Sequence, residues 1–553
     1  MALVGMEDRD GLRTHAKDAS PAVRLAVLLA LRHQVSEPQR SWPTDSSPLA
    51  PALRGEGPGL RGSSAITAKP VVARPPFTPI RPFQSNPDDV TPFVQFLQDD
   101  QRTLVAEAAR AINDLPLEAG FPALASLALK PDATPSGSVP EALVRRVINA
   151  NFRLGGAEHA RRVVSFIVEP RWSLAIRREA LAALIDWDTP SPRDRVNGFW
   201  RSVPPRDDAT LTAFKSLLTD HVATLLAGTP PELQTDLVRL IDKQKLPTDD
   251  AVFAGWVTDG SKTVVTRGAA LRLLATRKAK QLDDSLVAAL KSDLAPLRAD
   301  ARDLIATLRP ADAIPLLGET LASDAASILE RQRAVMTLAT LKSDAADAIL
   351  RTWATKLTAD HVPEPLQLDV LEAATARDLP DLKLAADQFK AKLAVGDPLA
   401  RYRPSLQGGD IERGREVFTT HRVGQCVRCH SITDPTTKTV LQSGGNAGPN
   451  LFEAAKRHDR TALLQSLVDP SAKIAKGYET VTLVLDDGRT FGGIIKQEDA
   501  NQVVLEQPDG KIITLKPSDI EERTQPKSAM PEMNRALSPR ELRDLVEFLT
   551  TLK

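Results

Sequence analysis

Leu297-Arg298-Ala299-Asp300-Ala301-Arg302-Asp303-Leu304-Ile305-Ala306-Thr307-Leu308 is the stretch that sets the fold of most of this chain. Ala301, Leu304, Ile305 and Leu308 recur at steps of three and four, so one face of a helix is apolar and the other charged. Three other stretches share its pattern of an Arg followed by small residues and then an apolar one. They are Ile176-Arg177-Arg178-Glu179-Ala180-Leu181, Thr266-Arg267-Gly268-Ala269-Ala270-Leu271 and Gln332-Arg333-Ala334-Val335. The Thr266, Leu297 and Gln332 stretches lie about 31 to 35 residues apart, the spacing of stacked helical pairs. Short breaks such as Arg309-Pro310-Ala311-Asp312 separate the helices. Aromatic residues are only 4 % of the chain, so Ala and Leu must fill the core, which suits helices packed at close range.

These features resemble degenerate HEAT repeats, which implies an α-solenoid over about residues 93–396. An isolated first unit is expected at 1–35, because Pro21–Leu31 resembles Leu104–Ile112. Residues 36–92 are crowded with Pro, Gly and Ser, as in Arg74-Pro75-Pro76-Phe77-Thr78-Pro79, and are read as a disordered insertion. At 553 residues the chain exceeds a single core. Its 71 basic and 71 acidic residues balance, leaving no electrostatic footprint for nucleic acid. No apolar run is long enough for a transmembrane segment. His159, His221 and His361 stand alone, and Trp172, Trp187, Trp200, Trp256 and Trp353 read as packing residues. The solenoid is expected to act as a scaffold.

Chemistry concentrates in Cys426-Val427-Arg428-Cys429-His430, which holds the only two cysteines of the chain. C-x-x-C-H is the pattern of covalent haem attachment: each thiol adds to a vinyl group and the histidine ligates the iron. Three other readings remain open at this point. Zinc would need further ligands, and His421 and His458 are not spaced as a second pair. A thioredoxin-like redox pair would need a βαβ context, and a small-loop disulfide would leave His430 without a role.

Around the pentapeptide the sequence supplies a short helix capped by Asp410, with an apolar face at Ile411, Val417 and Phe418. It then supplies Gly448-Pro449-Asn450-Leu451, Ser528-Ala529-Met530-Pro531 and a closing helix introduced by Ser538-Pro539-Arg540-Glu541. Leu542, Leu545, Val546, Leu549 and Leu552 form the stripe of that last helix. In this order the elements resemble a class I cytochrome c over about 397–553. The resemblance implies haem c held by Cys426 and Cys429, with His430 and Met530 as axial ligands. It also makes Gly448, Pro449 and Leu451 the orienting pocket of His430. Met533 competes with Met530, which is preferred because Pro531 follows it. Were neither to bind, His421 or His458 would become the sixth ligand, or a vacant position would favour small-ligand or peroxide chemistry.

Between about 478 and 522, β-rich runs and the pairs Asp487-Gly488 and Asp509-Gly510 predict an antiparallel meander of about four strands. With Asp469-Pro470-Ser471 and Gly477-Tyr478, this insertion resembles the C-terminal haem-binding domain of large planctomycete and verrucomicrobial proteins. In those relatives the domain often follows HEAT-like repeats and a β-propeller resembling sugar or alcohol dehydrogenases. The expected fold is therefore mainly α: a HEAT-like α-solenoid, then a class I cytochrome c domain with a small antiparallel β insertion. The expected function is one-electron transfer from a dehydrogenase-type partner to an acceptor. Two alternatives are the electron-accepting part of a quinoprotein-like dehydrogenase, and an interaction scaffold whose haem motif is never loaded. Haem c implies a periplasmic or otherwise extracytoplasmic location. The first residues carry no signal-peptide pattern, so the chain is expected to be part of a longer protein or to have a misplaced start.

Overall fold

The computed structural model of the chain describes residues 9–36, 87–129, 139–393, 399–507 and 510–553. The expected insertion at 36–92 falls largely outside these residues, although a helix already begins at Pro87. Two compact units divide the chain, Met1–Leu282 and Asp283–Lys553.

The first unit is helical: α1 Arg9–Thr14, α2 Pro21–Ser36, α3 Pro87–Phe96, α4 Arg102–Asp114, α5 Phe121–Ala125 and α6 Glu141–Leu154. It continues with α7 Ala157–Val168, α8 Leu174–Ile185, α9 Asp208–Gly228, α10 Gln234–Gln244, α11 Asp250–Thr258 and α12 Val264–Arg277. Helices α4, α6, α8, α10 and α12 each pack on the next of that series, while α7 packs on α8 and α9. That is the two-layer stacking of an array of helical pairs. The α2 helix joins it by packing on α4, with Arg24 Nε 2.8 Å from Asp99 and Arg32 Nη1 2.9 Å from Glu107.

The second unit begins within α13 Leu282–Leu290 and continues with α14 Ala295–Leu308, α15 Pro310–Ala322, α16 Ile328–Thr340, α17 Asp344–Thr358, α18 Glu364–Ala376 and α19 Pro380–Leu393. Here α14, α16 and α18 form one layer and α15, α17 and α19 the other.

One local device recurs through both arrays. Ser173, Thr263 and Ser327 cap α8, α12 and α16 by accepting the backbone N–H three residues on. Four residues after each cap an Arg reaches back to the preceding helix. Arg177 Nε donates to the Ile167 carbonyl (2.7 Å), Arg267 Nε to Val257 (2.8 Å) and Arg331 Nε to Leu321 (3.0 Å). Each acceptor is the penultimate carbonyl of its helix, an orphan of the helix end and the negative pole of its dipole. Arg298 on α14, a helix without a side-chain cap, makes a looser version of this contact, its Nη1 donating to the carbonyl of Ser292 just beyond the end of the preceding helix at 2.7 Å. The device therefore puts Arg331, and not Arg333 as the sequence pattern aligns it, in register with Arg177 and Arg267. Arg333 instead pairs with Asp300 (2.7 Å) and Asp303.

Glu330 ties α16 to α14. Its carboxylate is buried and accepts from Arg298 (2.6 and 2.8 Å), Arg302 (2.8 Å) and the Ser327 hydroxyl (2.9 Å). Burial alone would raise its pKa, and the bonds from Arg298, Arg302 and Ser327 outweigh it, holding the group at about 2 against an ordinary 4.5. Because the folded value is the lower one, the stabilisation is complete above about pH 4.5 and is lost as pH falls towards 2. Glu330→Gln should cost about 2–3 kcal/mol at neutral pH. In denaturant unfolding of both proteins the gap should close on acidification across that window; a gap unchanged at the acid end would contradict this assignment.

Trp187 and Trp353 are core residues, 0 % and 5 % exposed. Trp200 is not the packing residue that the sequence leads one to expect: it is 71 % exposed, in an irregular connection between α8 and α9 where no helix covers it.

The C-terminal part of the second unit holds a 3-10 turn Ala400–Ser405, α20 Ile411–Thr420, α21 Ala454–Arg457, α22 Arg460–Val468 and α23 Pro539–Leu549. Asp410 caps α20, and the Ser538/Glu541 capping box opens α23 with Pro539 at its first position. The two helices cross closely. Gly414 lies against the Asp544 carbonyl, where a Cβ would collide with backbone, and the Phe418 and Phe548 rings sit 5.6 Å apart. The face turned to α23 is thus Gly414 and Phe418, whereas Ile411, expected on it, is 40 % exposed. Leu542, Leu545, Val546 and Leu549 are buried against Leu463, Leu464 and Leu467 of α22.

The strands are β1 Ile432–Thr433, β2 Val440–Gln442, β3 Glu479–Leu485, β4 Thr490–Glu498, β5 Val503–Glu506, β6 Ile512–Leu515, β7 Ile520–Arg523 and β8 Lys527–Ser528. β1 and β2 form a small ladder, and the rest an antiparallel sheet in the order β6-β5-β4-β3-β7, with β8 also on β3. The expected four-strand meander is β3 to β6. The chain then returns to the free edge of β3, adding two strands that its polar residues did not announce.

The repeats and this C-terminal part share one unit because α23 is clamped to α18. Arg543 donates to Asp369 at 2.7 Å, with both side chains buried, and Arg540 lies 2.9 Å from Asp369 and 2.6 Å from Glu372. Gln332 bridges the Pro365 and Gly408 carbonyls at 2.8 Å each. The boundary expected at 397 falls among the undescribed residues 394–398.

Candidate functional site

Cys426–Arg428 form a single 3-10 turn entered through Gln425 in the left-handed region (φ 44°). The His430 N–H then donates to the Cys426 carbonyl at 2.9 Å, closing a helical turn over the pentapeptide. Both cysteines are free thiols, Cys426 half-buried and Cys429 exposed. Burial pushes the Cys426 thiol up, so it stays protonated at neutral pH. A redox-active or metal-binding thiol needs the opposite shift, which weighs against a dithiol oxidoreductase.

The loop after β2 folds back over the pentapeptide. Gly445 N–H donates to Val427 O (2.9 Å), Gly448 N–H to Cys429 O (2.8 Å) and Leu451 N–H to Ser431 O (2.9 Å). Asn450 locks the loop by bonding both backbone groups of Thr433 (3.1 and 2.6 Å). This seats Pro449 so that its carbonyl lies 2.8 Å from His430 Nδ1. A carbonyl only accepts, so Nδ1 carries the proton and Nε2 keeps its lone pair. Burial also pulls the His430 pKa down, against the pull of the Pro449 bond, so the ring is neutral. Gly448 lies flat on the imidazole: a Cβ there would stand 2.5 Å from Cε1, 2.8 Å from Nδ1 and 2.9 Å from Nε2.

Met530 is half-buried and packs on the same apolar core as Cys426, Val427, Leu451 and Phe452. Met533 is a core residue, 4 % exposed, beside Leu463 and Leu537. The thioether that still reaches beyond the core is therefore that of Met530. Of the alternative histidines, His421 is engaged at both nitrogens: Gly424 N–H donates to Nδ1 (2.9 Å), and Glu541 lies 3.5 Å from Nε2. His458 is half-buried at the end of α21.

One residue of this neighbourhood escaped the sequence reading. Tyr402, one of two tyrosines in the chain, packs on the same core from the turn before α20 and accepts from Asn534 Nδ2 at 2.6 Å. Its rarity was the only local signal.

Among the described residues no three His, Cys, Asp or Glu side chains converge to hold a bare metal ion. The donor set suits a covalently held haem instead: two free thiols a helical turn apart, a neutral imidazole with a fixed tautomer, and a half-buried thioether.

No family model and no curated protein matches the chain. Two solved structures show partial likeness. Human deoxyhypusine hydroxylase, in complex with glycerol, is 16 % identical, with 55 % of this chain and 97 % of that one covered, at a TM-score of 0.20. The complex of CpcE and CpcF of phycocyanin lyase from Nostoc sp. PCC7120 is also 16 % identical, over 59 % and 99 %, at a TM-score of 0.20. At these scores neither bears on what this chain does. No helix among the described residues is long and apolar enough to cross a membrane.

Proposed function

We propose that this chain is a c-type cytochrome that carries one electron at a time from a dehydrogenase-type partner to an acceptor. The observation that supports this most is the pose of His430, directly behind two free thiols, its Nδ1–H held by Pro449 and its ring face covered by Gly448. In this reading Cys426 and Cys429 would hold the haem through thioether bonds, and His430 and Met530 would supply the ligands to its iron. A bound haem supplies reversible Fe(III)/Fe(II) exchange, and His/Met ligation sets it at a raised potential. The protein contributes ligation, orientation and exclusion of water. Pro449 keeps the Nε2 lone pair of His430 aimed away from the loop, and Gly448 leaves the ring room to hold that orientation. Leu451 and the α22–α23 core keep the site apolar, which disfavours the more highly charged state of a redox centre. Since haem attachment of this kind is made outside the cytoplasm, the reading places the mature protein in an extracytoplasmic compartment.

The ligand assignment is tested on haem-loaded protein by the weak red charge-transfer band that a thioether–iron bond gives the oxidised form. That band should vanish in Met530→Ala and persist in Met533→Ala, which instead should lose about 2–4 kcal/mol of stability as a core truncation. The reverse pattern would assign the ligand to Met533.

A further inference from the structure

Met530 lies in a stretch without helix or strand of its own, between β8 and the 3-10 turn Met533–Arg535. Upstream it hangs from a short ladder, Lys527 and Ser528 of β8 paired with Thr480 and Glu479 of β3. The Ser528 N–H donates to Ser471 Oγ at 3.2 Å, and the Met530 N–H to Ser528 Oγ at 3.2 Å. Downstream, only Pro531 and Glu532 separate Met530 from the turn, and the Pro531 ring fixes one φ of that link. The turn closes on the Met533 carbonyl, which accepts from the N–H groups of Ala536 (2.9 Å) and Leu537 (2.8 Å). What holds this turn therefore holds the downstream side of Met530.

Two side chains of the turn do the holding. Met533 fills the core, a task open to other apolar residues of its size. Asn534 is different. Its Nδ2 donates to the Tyr402 hydroxyl at 2.6 Å, while its Oδ1 is buried with no hydrogen-bond partner among the described residues. An unpaired buried amide oxygen costs stability that an apolar side chain would not, so core filling does not explain this residue. What it supplies is a directional tie. Tyr402 is fixed from the other side, in the turn Ala400–Ser405, which packs on α18, α19 and α23. Its ring packs on the core that holds Met533 and Leu537, and the Arg401 guanidinium stands 4.8 Å from the ring centre.

We infer that Tyr402 is a positioning residue for Met530: through Asn534 it ties the loop that bears the thioether to the end of the repeat array, and so opposes release of the thioether from the iron. The inference rests on the cytochrome reading with Met530 as ligand, and adds to it a residue that lies before α20, outside every haem motif of the chain. Lifting Met530 pulls on the turn through the stiff Pro531, and the Tyr402–Asn534 bond resists that motion. The two-residue β8 ladder on the upstream side offers less resistance, because so few bonds hold it.

Imidazole, which competes with a thioether for oxidised iron, is the probe. It is titrated into the full haem-loaded chain while the red charge-transfer band is followed. Tyr402→Phe keeps the ring and removes the hydroxyl, and should bind imidazole about fivefold more tightly, the factor that one ordinary hydrogen bond is worth. Asn534→Ala should give the same shift, and the double variant no more than either alone. A tyrosine kept only for packing would lower resistance to denaturant and leave the imidazole affinity unchanged. That result, or shifts that add in the double variant, would overturn the inference and spare the cytochrome reading. A band that survives Met530→Ala would remove the inference together with the ligand assignment, and absence of covalent haem would remove the cytochrome reading as well.

Discussion

His430→Ala should strip the haem-loaded protein of its low-spin spectrum and leave the fold in place. In the structure His430 makes one side-chain hydrogen bond, to Pro449, so its loss should cost only about 1 kcal/mol of stability. The helical core that carries the domain, from Phe418 to Leu549, does not depend on it. A histidine kept for structure would give the opposite profile, a destabilised domain with an unaltered spectrum. Gly448→Val supplies the companion result. A Cβ at that position meets all three of the nearest ring atoms below 3 Å, so the imidazole must move although its chemistry is intact. The variant should show the same spectral collapse with His430 present. An unchanged low-spin spectrum in both variants would mean that another residue ligates the iron.

Asp369→Ala should have the largest effect on stability, about 3–5 kcal/mol. Asp369 is fully buried and faces Arg543 at 2.7 Å and Arg540 at 2.9 Å; the Arg543 side chain is 4 % exposed. Removing the carboxylate leaves the buried Arg543 guanidinium with only the more distant Asp544, 3.9 Å away, as a counter-ion, which costs more than the pair contributes. The double variant Asp369→Leu/Arg543→Leu should regain most of the loss, because it removes both charges together. Denaturant unfolding of the full chain, followed by the haem absorbance, reports both. A repeat array merely tethered to the haem-carrying part would show no change in that signal.

The helical arrays were legible because their cores obey a three-and-four periodicity, and the Arg recurring after each helix start was visible as well. Its frame was not. Arg331 and Arg333 both precede Ala334 and Val335, and only the backbone shows that Arg331 reaches the Leu321 carbonyl while Arg333 turns to the acids of α14. The capping box of α23 could be read outright, since Ser538, Pro539 and Glu541 act within four residues. The clamp between α23 and α18 could not: Arg540 and Arg543 meet partners about 170 residues away, and nothing local selects Asp369 or Glu372 among 71 acidic residues. At the candidate site the thiols and His430 stood out by spacing alone. The relation of His430 to Gly448 and Pro449 was available from resemblance only, because it is made by a loop whose glycines and Asn450 carry no periodic signal. Ile411 misled for a related reason: at the first position of α20 it satisfies the apolar pattern, yet the close contacts with α23 are made by Gly409 and Gly414 on either side of it.

The central claim is that Cys426 and Cys429 hold a haem covalently. Its most direct test is expression of the chain with an export signal and the haem-attachment machinery, then haem staining of a denaturing gel. The account predicts a stained band at the mass of the full chain, lost when Cys426 and Cys429 are both changed to Ser. An unstained band from a folded, exported protein would contradict it.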